Sequence, residues 1–275
     1  MAEIQTKRLP FRRYFALTRG GILELTAFRM SMALNFVGNI IYMIVVYFLW
    51  SAIYESTPTG IVNGMTFSDT LIYPTLASAI FSLVEVYLVW QMGRDIQSGQ
   101  FSLYFTKPTD FFLYQFFNQS GNIATGFIVT FLPTFFIVDF LSSWRIPIGV
   151  NILFFAISLI FSIVINFCID FMVGTLCLYT QSFWGINMMK EVIVLLLSGA
   201  TIPLAFFPHA FQTVVMYLPF QAIYNVPLQI LISDSLSFVD YGKYLGIQAF
   251  WSLVMILLAR LFFRHASKVI TVNGG

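Results

Sequence analysis

Charge is scarce in this sequence: Asp, Glu, Lys and Arg make up 9% of 275 residues, against about 25% in an ordinary soluble domain. A soluble fold needs a charged exterior, so one water-facing globule is excluded. There are two cysteines, Cys168 and Cys177, nine apart in one apolar run. Within a helix that spacing suits neither a disulfide nor a metal site. The two histidines, His209 and His265, fall on opposite sides of the expected membrane, which rules out a paired-His metal centre. No phosphate-binding Gly-x-x-x-x-Gly-Lys-Ser/Thr loop occurs; Gly242-Lys243 lacks the upstream glycine. No Gly-x-Ser-x-Gly nucleophile elbow appears either, so an embedded enzyme is unsupported. Net charge is +2 and no basic stripe forms, which gives nucleic acid nothing to hold. Internal repeats and low-complexity segments are absent. The first 29 or so residues are basic, and no cleavable signal is expected.

What the chain does have is apolar length. It is 59% hydrophobic with 32 Phe, and six stretches are long enough to cross a bilayer. They run roughly over 34–54, 71–90, 112–138, 150–177, 187–205 and 244–263. With the N-terminus inside, Lys7, Arg8, Arg12, Arg13, Arg19, Arg29, Arg94, Lys107, Lys190, Arg260, Arg264 and Lys268 all fall on the cytoplasmic side. Arg145 and Lys243 fall outside. Basic residues near span ends resist translocation, so both termini are expected in the cytoplasm. The expected fold is an all-α membrane protein of six transmembrane helices, one transmembrane domain over 1–275.

Three segments are not spans. Residues 8–29 place Phe11, Phe15, Thr18, Ile22 and Leu25 at helical spacing with Arg8, Arg12 and Arg19 at the border. That pattern suits an interfacial helix, with a break expected at Gly20-Gly21. Residues 91–110 mix Arg94, Asp95, Lys107 and Asp110 with apolar side chains, as a short helix resting on a partner protein would. Residues 206–243 are apolar but interrupted by Pro208, Pro219 and Pro227, which prevents one straight span. Short helices dipping part-way into the outer leaflet satisfy both facts.

Polar residues inside the spans need a reason. Ser158, Ser162, Asn166, Asp170 and Gly174 recur every four residues, one stripe on a helix. Ser31, Asn35 and Asn39 repeat that spacing in the first span, and Ser78, Ser82 and Glu85 lie in the second. They are either a translocation lining, with Asn35, Asn39, Glu85, Ser162, Asn166 and Asp170 as its candidates, or glue between helices. Glu85 and Asp170 either pair with Arg29, Arg94 or Lys190 or carry a proton or cation.

The chain resembles the permease subunits of ABC-2 type transporters, the bacterial six-span branch. Matching residues run along its length: Arg94-Asp95-Ile96 with Gly99, Lys107-Pro108, Trp184-Gly185, Lys190-Glu191, Ser198-Gly199-Ala200, Ile202-Pro203-Leu204, Phe206-Phe207-Pro208, Leu218-Pro219-Phe220-Gln221, Gln248 with Trp251, and Gly274-Gly275. Tyr104-Phe105 departs from the aliphatic residues commoner there. The resemblance implies an exporter permease of the bacterial cytoplasmic membrane that works as a dimer, with an identical or related second permease, surrounded by lipid. Separate ATPase subunits would hold ATP and magnesium, this chain carrying no cofactor. Residues 8–29 would be an elbow helix. Arg94, Asp95, Ile96, Gly99, Lys107 and Pro108 would couple to the ATPase. Pro203, Phe206, Phe207, Pro208, Pro219 and Phe220 would form the outer gate. The substrate expected is amphipathic or hydrophobic, a drug, lipid or peptide. The alternative is a stand-alone ion-coupled transporter using Glu85 and Asp170.

Overall fold

The computed structural model describes residues 12–27, 29–57, 61–62, 65–85, 87–107, 109–141, 146–147, 149–180, 182–233 and 236–269. Helix follows helix: α1 (Arg12–Ala27), α2 (Arg29–Glu55), α3 (Phe67–Val84), α4 (Leu88–Gln97), α5 (Phe111–Gly126), α6 (Leu132–Leu141), α7 (Val150–Thr180), α8 (Trp184–Ser198), α9 (His209–Met216), α10 (Asn225–Ile232) and α11 (Phe238–Ala266). A two-residue antiparallel ladder, β1 (Ile61–Val62) with β2 (Met65–Thr66), joins α2 to α3. Helix dominates because hydrocarbon offers no partner for a free amide or carbonyl.

Among the described residues five helical stretches are long and apolar enough to cross a membrane: Phe36–Glu55, Thr70–Gln97, Phe111–Leu141, Val150–Thr180 and Phe238–Ala266. The sixth expected span, 187–205, corresponds to α8, which has 15 residues. At 1.5 Å per residue that is about 22 Å, less than the hydrocarbon thickness. Gly199, at φ 76°, ends it in the left-handed region that a side chain disfavours.

The second span differs from a straight 71–90 helix. α3 ends at Val84, and α4 begins at Leu88, still within the expected span, and runs to Gln97 in the segment read from sequence as non-spanning. The third span carries a π-helical turn at Phe127–Phe131 between α5 and α6. The Pro-interrupted segment forms α9, a tight turn at Phe220–Ala222, and α10, while residues 238–243 already belong to α11. Pro58, Gly60, Gly64, Pro108, Arg145 and Gly274-Gly275 lie outside the described residues.

α7 is the centre. Ile165, Phe167, Cys168 and Phe171 on it are buried completely or nearly so, and both cysteines are free. α3 is largely enclosed, whereas α2 and α11 turn wide apolar faces outward, among them Ile41, Val45, Phe48, Leu253 and Leu257. Bilayer tails or another chain must cover such faces.

Gly20-Gly21 does not break α1. Gly21 is buried against α5, and a methyl on Gly121 would come within 2.8 Å of the Gly21 backbone. Two glycines facing each other let the helices touch backbone to backbone, which offsets their poor helix propensity. The inward face of α1 is Tyr14, Thr18 and Gly21; Phe15 and Ile22 are exposed, Phe15 meeting the Phe117 ring edge-on at 5.8 Å, so the expected stripe divides between the two faces. Thr18 Oγ1 donates to the Phe117 carbonyl at 3.0 Å, and Tyr14 packs on the Phe117 ring. Gly121→Ala is expected to destabilise the detergent-solubilised protein by about 1–3 kcal/mol, the usual cost of overpacking. Gly20→Ala, with open space around it, leaves the thermal transition unchanged or slightly raised.

Candidate functional site

Where α3 stops, two features meet: a cluster of ionisable side chains and an open cleft. In the cluster, Lys190 Nζ on α8 lies 2.8 Å from Asp170 Oδ1 on α7, and both are almost fully buried. Asn166 Nδ2, one turn before Asp170, donates to Asp170 Oδ2 at 3.0 Å and to the Val84 carbonyl at 3.1 Å. Asn187 donates to Glu191 one turn later on α8. Glu85 sits at the break itself, with Glu191, Lys190 and Asp170 as its charged neighbours. Among the described residues no ion pair reaches Glu85.

The cleft has a volume of about 470 Å³ and opens between α2, α3, α5 and the end of α8. Asn39, Ser78, Ser82, Asn122, Thr125 and Thr130 give it hydroxyl and amide groups; Tyr42, Phe81 and Tyr87 give it rings. Asn39 is held by its neighbours, donating to Thr134 Oγ1 at 2.8 Å and accepting from Ser78 Oγ at 2.9 Å.

The six residues read as a lining therefore divide. Asn39 and Glu85 line the cleft. Ser162, Asn166 and Asp170 are buried on α7 and face other helices. Gln248 of α11 ties this stripe together, its Nε2 donating to the Ser158 carbonyl, to Ser162 Oγ and, at 2.8 Å, to the Ala222 carbonyl. Gly174 takes the Met92 sulfur of α4 into the space a side chain would need. The Asn35 side chain lies outside the described residues. Sequence reasoning did not single out Tyr42, Tyr87, Asn122, Thr125 or Thr130. Asn122 and Thr125, polar and one turn apart in an apolar run, were the available signal.

The stretch from the last turn of α4 to the start of α5 is exposed yet braced. Arg94, Gly99 and Lys107 face outward, and Asp95 and Ile96 are half-buried. Gly99 ends α4 at φ 75°. Tyr104 Oη donates to Asp95 Oδ2 at 2.9 Å, and the Lys107 ammonium sits over the Tyr104 and Tyr114 rings at 4.6 and 4.7 Å. Burial, then the bond to Asp95, pushes the Tyr104 phenol up to about 12, so it stays a donor at physiological pH. The departure from an aliphatic residue at 104 thus has a local use. Asp110 caps α5, accepting from the Leu113 amide at 2.9 Å, and its carboxylate meets Arg260 of α11 at 3.5 Å.

The residues read as an outer gate are dispersed over several contacts. Phe206 packs on Trp50 of α2, Phe207 stacks on Phe211, Pro208 precedes α9, Pro219 opens the next turn and Pro203 is buried.

Residues 40–274 match the family described as ABC-2 family transporter protein. This chain belongs to the ABC-2 transporter family. The match covers every helix from within α2 to α11 and leaves α1 outside it. Comparison with curated proteins finds no match. As a family of membrane permeases, ABC-2 proteins of this kind are not themselves catalytic, and among the described residues no cluster of metal-ligating side chains occurs.

In this ABC-2 protein the Asp170–Lys190 pair is expected to hold α8 to α7. Lys190→Met leaves a buried carboxyl without its cation and should cost about 3–5 kcal/mol. Asp170→Asn/Lys190→Met removes both charges, and in a double-mutant cycle should recover much of that loss of thermal stability.

Proposed function

We propose that this chain is the permease subunit of an ATP-driven exporter in the bacterial cytoplasmic membrane, with both termini inside. The observation that carries the reading is the family match over residues 40–274. Separate ATPase subunits hold ATP and magnesium, and a second permease, related or identical, completes the pathway.

The coupling role falls to Arg94, Asp95, Ile96, Gly99, Lys107 and Pro108. Support comes from the way their segment is fastened. A rigid stretch transmits displacement; a loose loop absorbs it. From α4, Met92 keys into Gly174 of α7, and a side chain at Gly93 would collide with Phe183, which leads into α8. α8 carries Lys190, which reaches Asp170 beside the break at Glu85. A push on α4 would thus be felt by α7 and α8 and at the cleft. ATP drives this only insofar as the closed ATPase dimer favours one permease state over the other. Outer gating belongs to Pro203, Phe206, Phe207, Pro208, Pro219 and Phe220, the segment that covers the outer end of the bundle in this orientation.

The stand-alone ion-coupled alternative relied on Glu85 and Asp170 together. Asp170 is engaged by Lys190 and Asn166, which weakens its claim to be a free proton carrier.

A mild-detergent pull-down is expected to recover a stoichiometric phosphate-loop ATPase; recovery of this chain alone at every detergent strength would overturn the reading. Gly99→Val, which forces a branched side chain into the left-handed region, is expected to cost about 1–2 kcal/mol of stability without unfolding the spans, and replacement of Lys107-Pro108 to leave thermal stability nearly unchanged. They should still lower transport per ATP hydrolysed severalfold in reconstituted vesicles. Full export with normally stimulated hydrolysis in these variants would remove the segment from the coupling path.

A further inference from the structure

The cleft beside the α3 break combines features that neither structure nor coupling requires. Its volume of about 470 Å³ lies in the range of small-molecule sites. Two backbone irregularities border it, the interruption after Val84 and the π-helical turn at Phe127–Phe131. Such turns cluster at functional positions because they cost regular hydrogen bonding. Among the described residues lining it, Glu85 alone is charged.

The cluster behind Glu85 does not neutralise it. Among the described residues Lys190 is the single cation there; it is paired with Asp170 and almost fully buried. Glu191 accepts from Asn187. Glu85 remains half-buried and without an ion pair among the described residues, at a depth where an unmatched carboxylate is costly. A mobile cation entering the cleft would relieve that cost. Tyr42, Phe81 and Tyr87 supply rings, whose faces attract organic cations. Ser82 and Asn122 supply polar groups for a substituted ligand. A bare metal ion would find one carboxyl and too few hard oxygen ligands.

We propose that this cleft binds an amphipathic organic cation, with Glu85 as its counter-charge. The corollary, that the exported substrate is of this class, rests on the permease reading above.

The test uses the full-length chain in nanodiscs of zwitterionic lipid, equilibrated with radiolabelled tetraphenylphosphonium, with empty nanodiscs subtracted. Saturable binding is expected, weakened tenfold or more by Glu85→Gln, mostly retained in Glu85→Asp and unchanged in Glu55→Gln at the far end of α2. Tetraphenylborate, of the same shape and opposite charge, should compete poorly. If Glu85→Gln fails to fold, Ser82→Leu fills the cleft while leaving the carboxyl in place and should abolish binding. Absence of saturable binding, equal competition by the anion, or wild-type affinity in either Glu85→Gln or Ser82→Leu would overturn the proposal. The readout needs no ATPase. Loss of the cation site with ATPase co-purification intact overturns this inference alone; a cation site in a chain that recruits no ATPase overturns the permease reading alone.

Discussion

Asn166 holds the centre of this protein. Its amide donates in two directions, to the last carbonyl of α3 and to Asp170 one turn along its own helix. A helix that stops inside a membrane leaves carbonyls with no water to take them. Breaking the second span at Glu85 is tolerable because α7 presents an amide at that level. The bond to Asp170 fixes the carboxyl that receives Lys190, so α3, α7 and α8 are joined at one place by groups that hydrocarbon could not satisfy.

From that junction the packing extends by size and polarity. Small residues let helices close on one another: Gly174 beneath Met92, Gly121 against Gly21, Gly93 beneath Phe183. Farther along α7, Ser158 and Ser162 receive Gln248 of α11. The polar stripe of α7 is therefore mostly structural, and the solvent-open polar surface lies on the other side of α3, where Ser78, Ser82 and Glu85 face α2 and α5. One broken helix thus separates a closed polar core from an open cleft.

Membrane character was legible in composition and pattern. Apolar runs and basic flanks report on the solvent, and the bilayer imposes lengths that can be counted along a chain. The mixed-polarity stretch at 91–110 and the interrupted stretch at 206–243 stood out for the same reason, being too polar or too rich in proline to be simple spans. The family resemblance rested on local residues in order, and the match over 40–274 agrees with it.

Other properties depend on contacts between distant segments, which periodicity does not contain. Gly20-Gly21 has the propensity of a break, yet α5 supplies Gly121 and the helix continues. Glu85 and Asp170 look equivalent in sequence, two acids in apolar runs. Packing gave Asp170 a buried lysine and left Glu85 at the edge of a cleft. The sequence by itself determined that this chain lives in a bilayer, because transfer free energy adds up residue by residue. Only the tertiary structure decided which polar residues are glue and which are open to a ligand, because that depends on what a neighbouring helix places opposite each one.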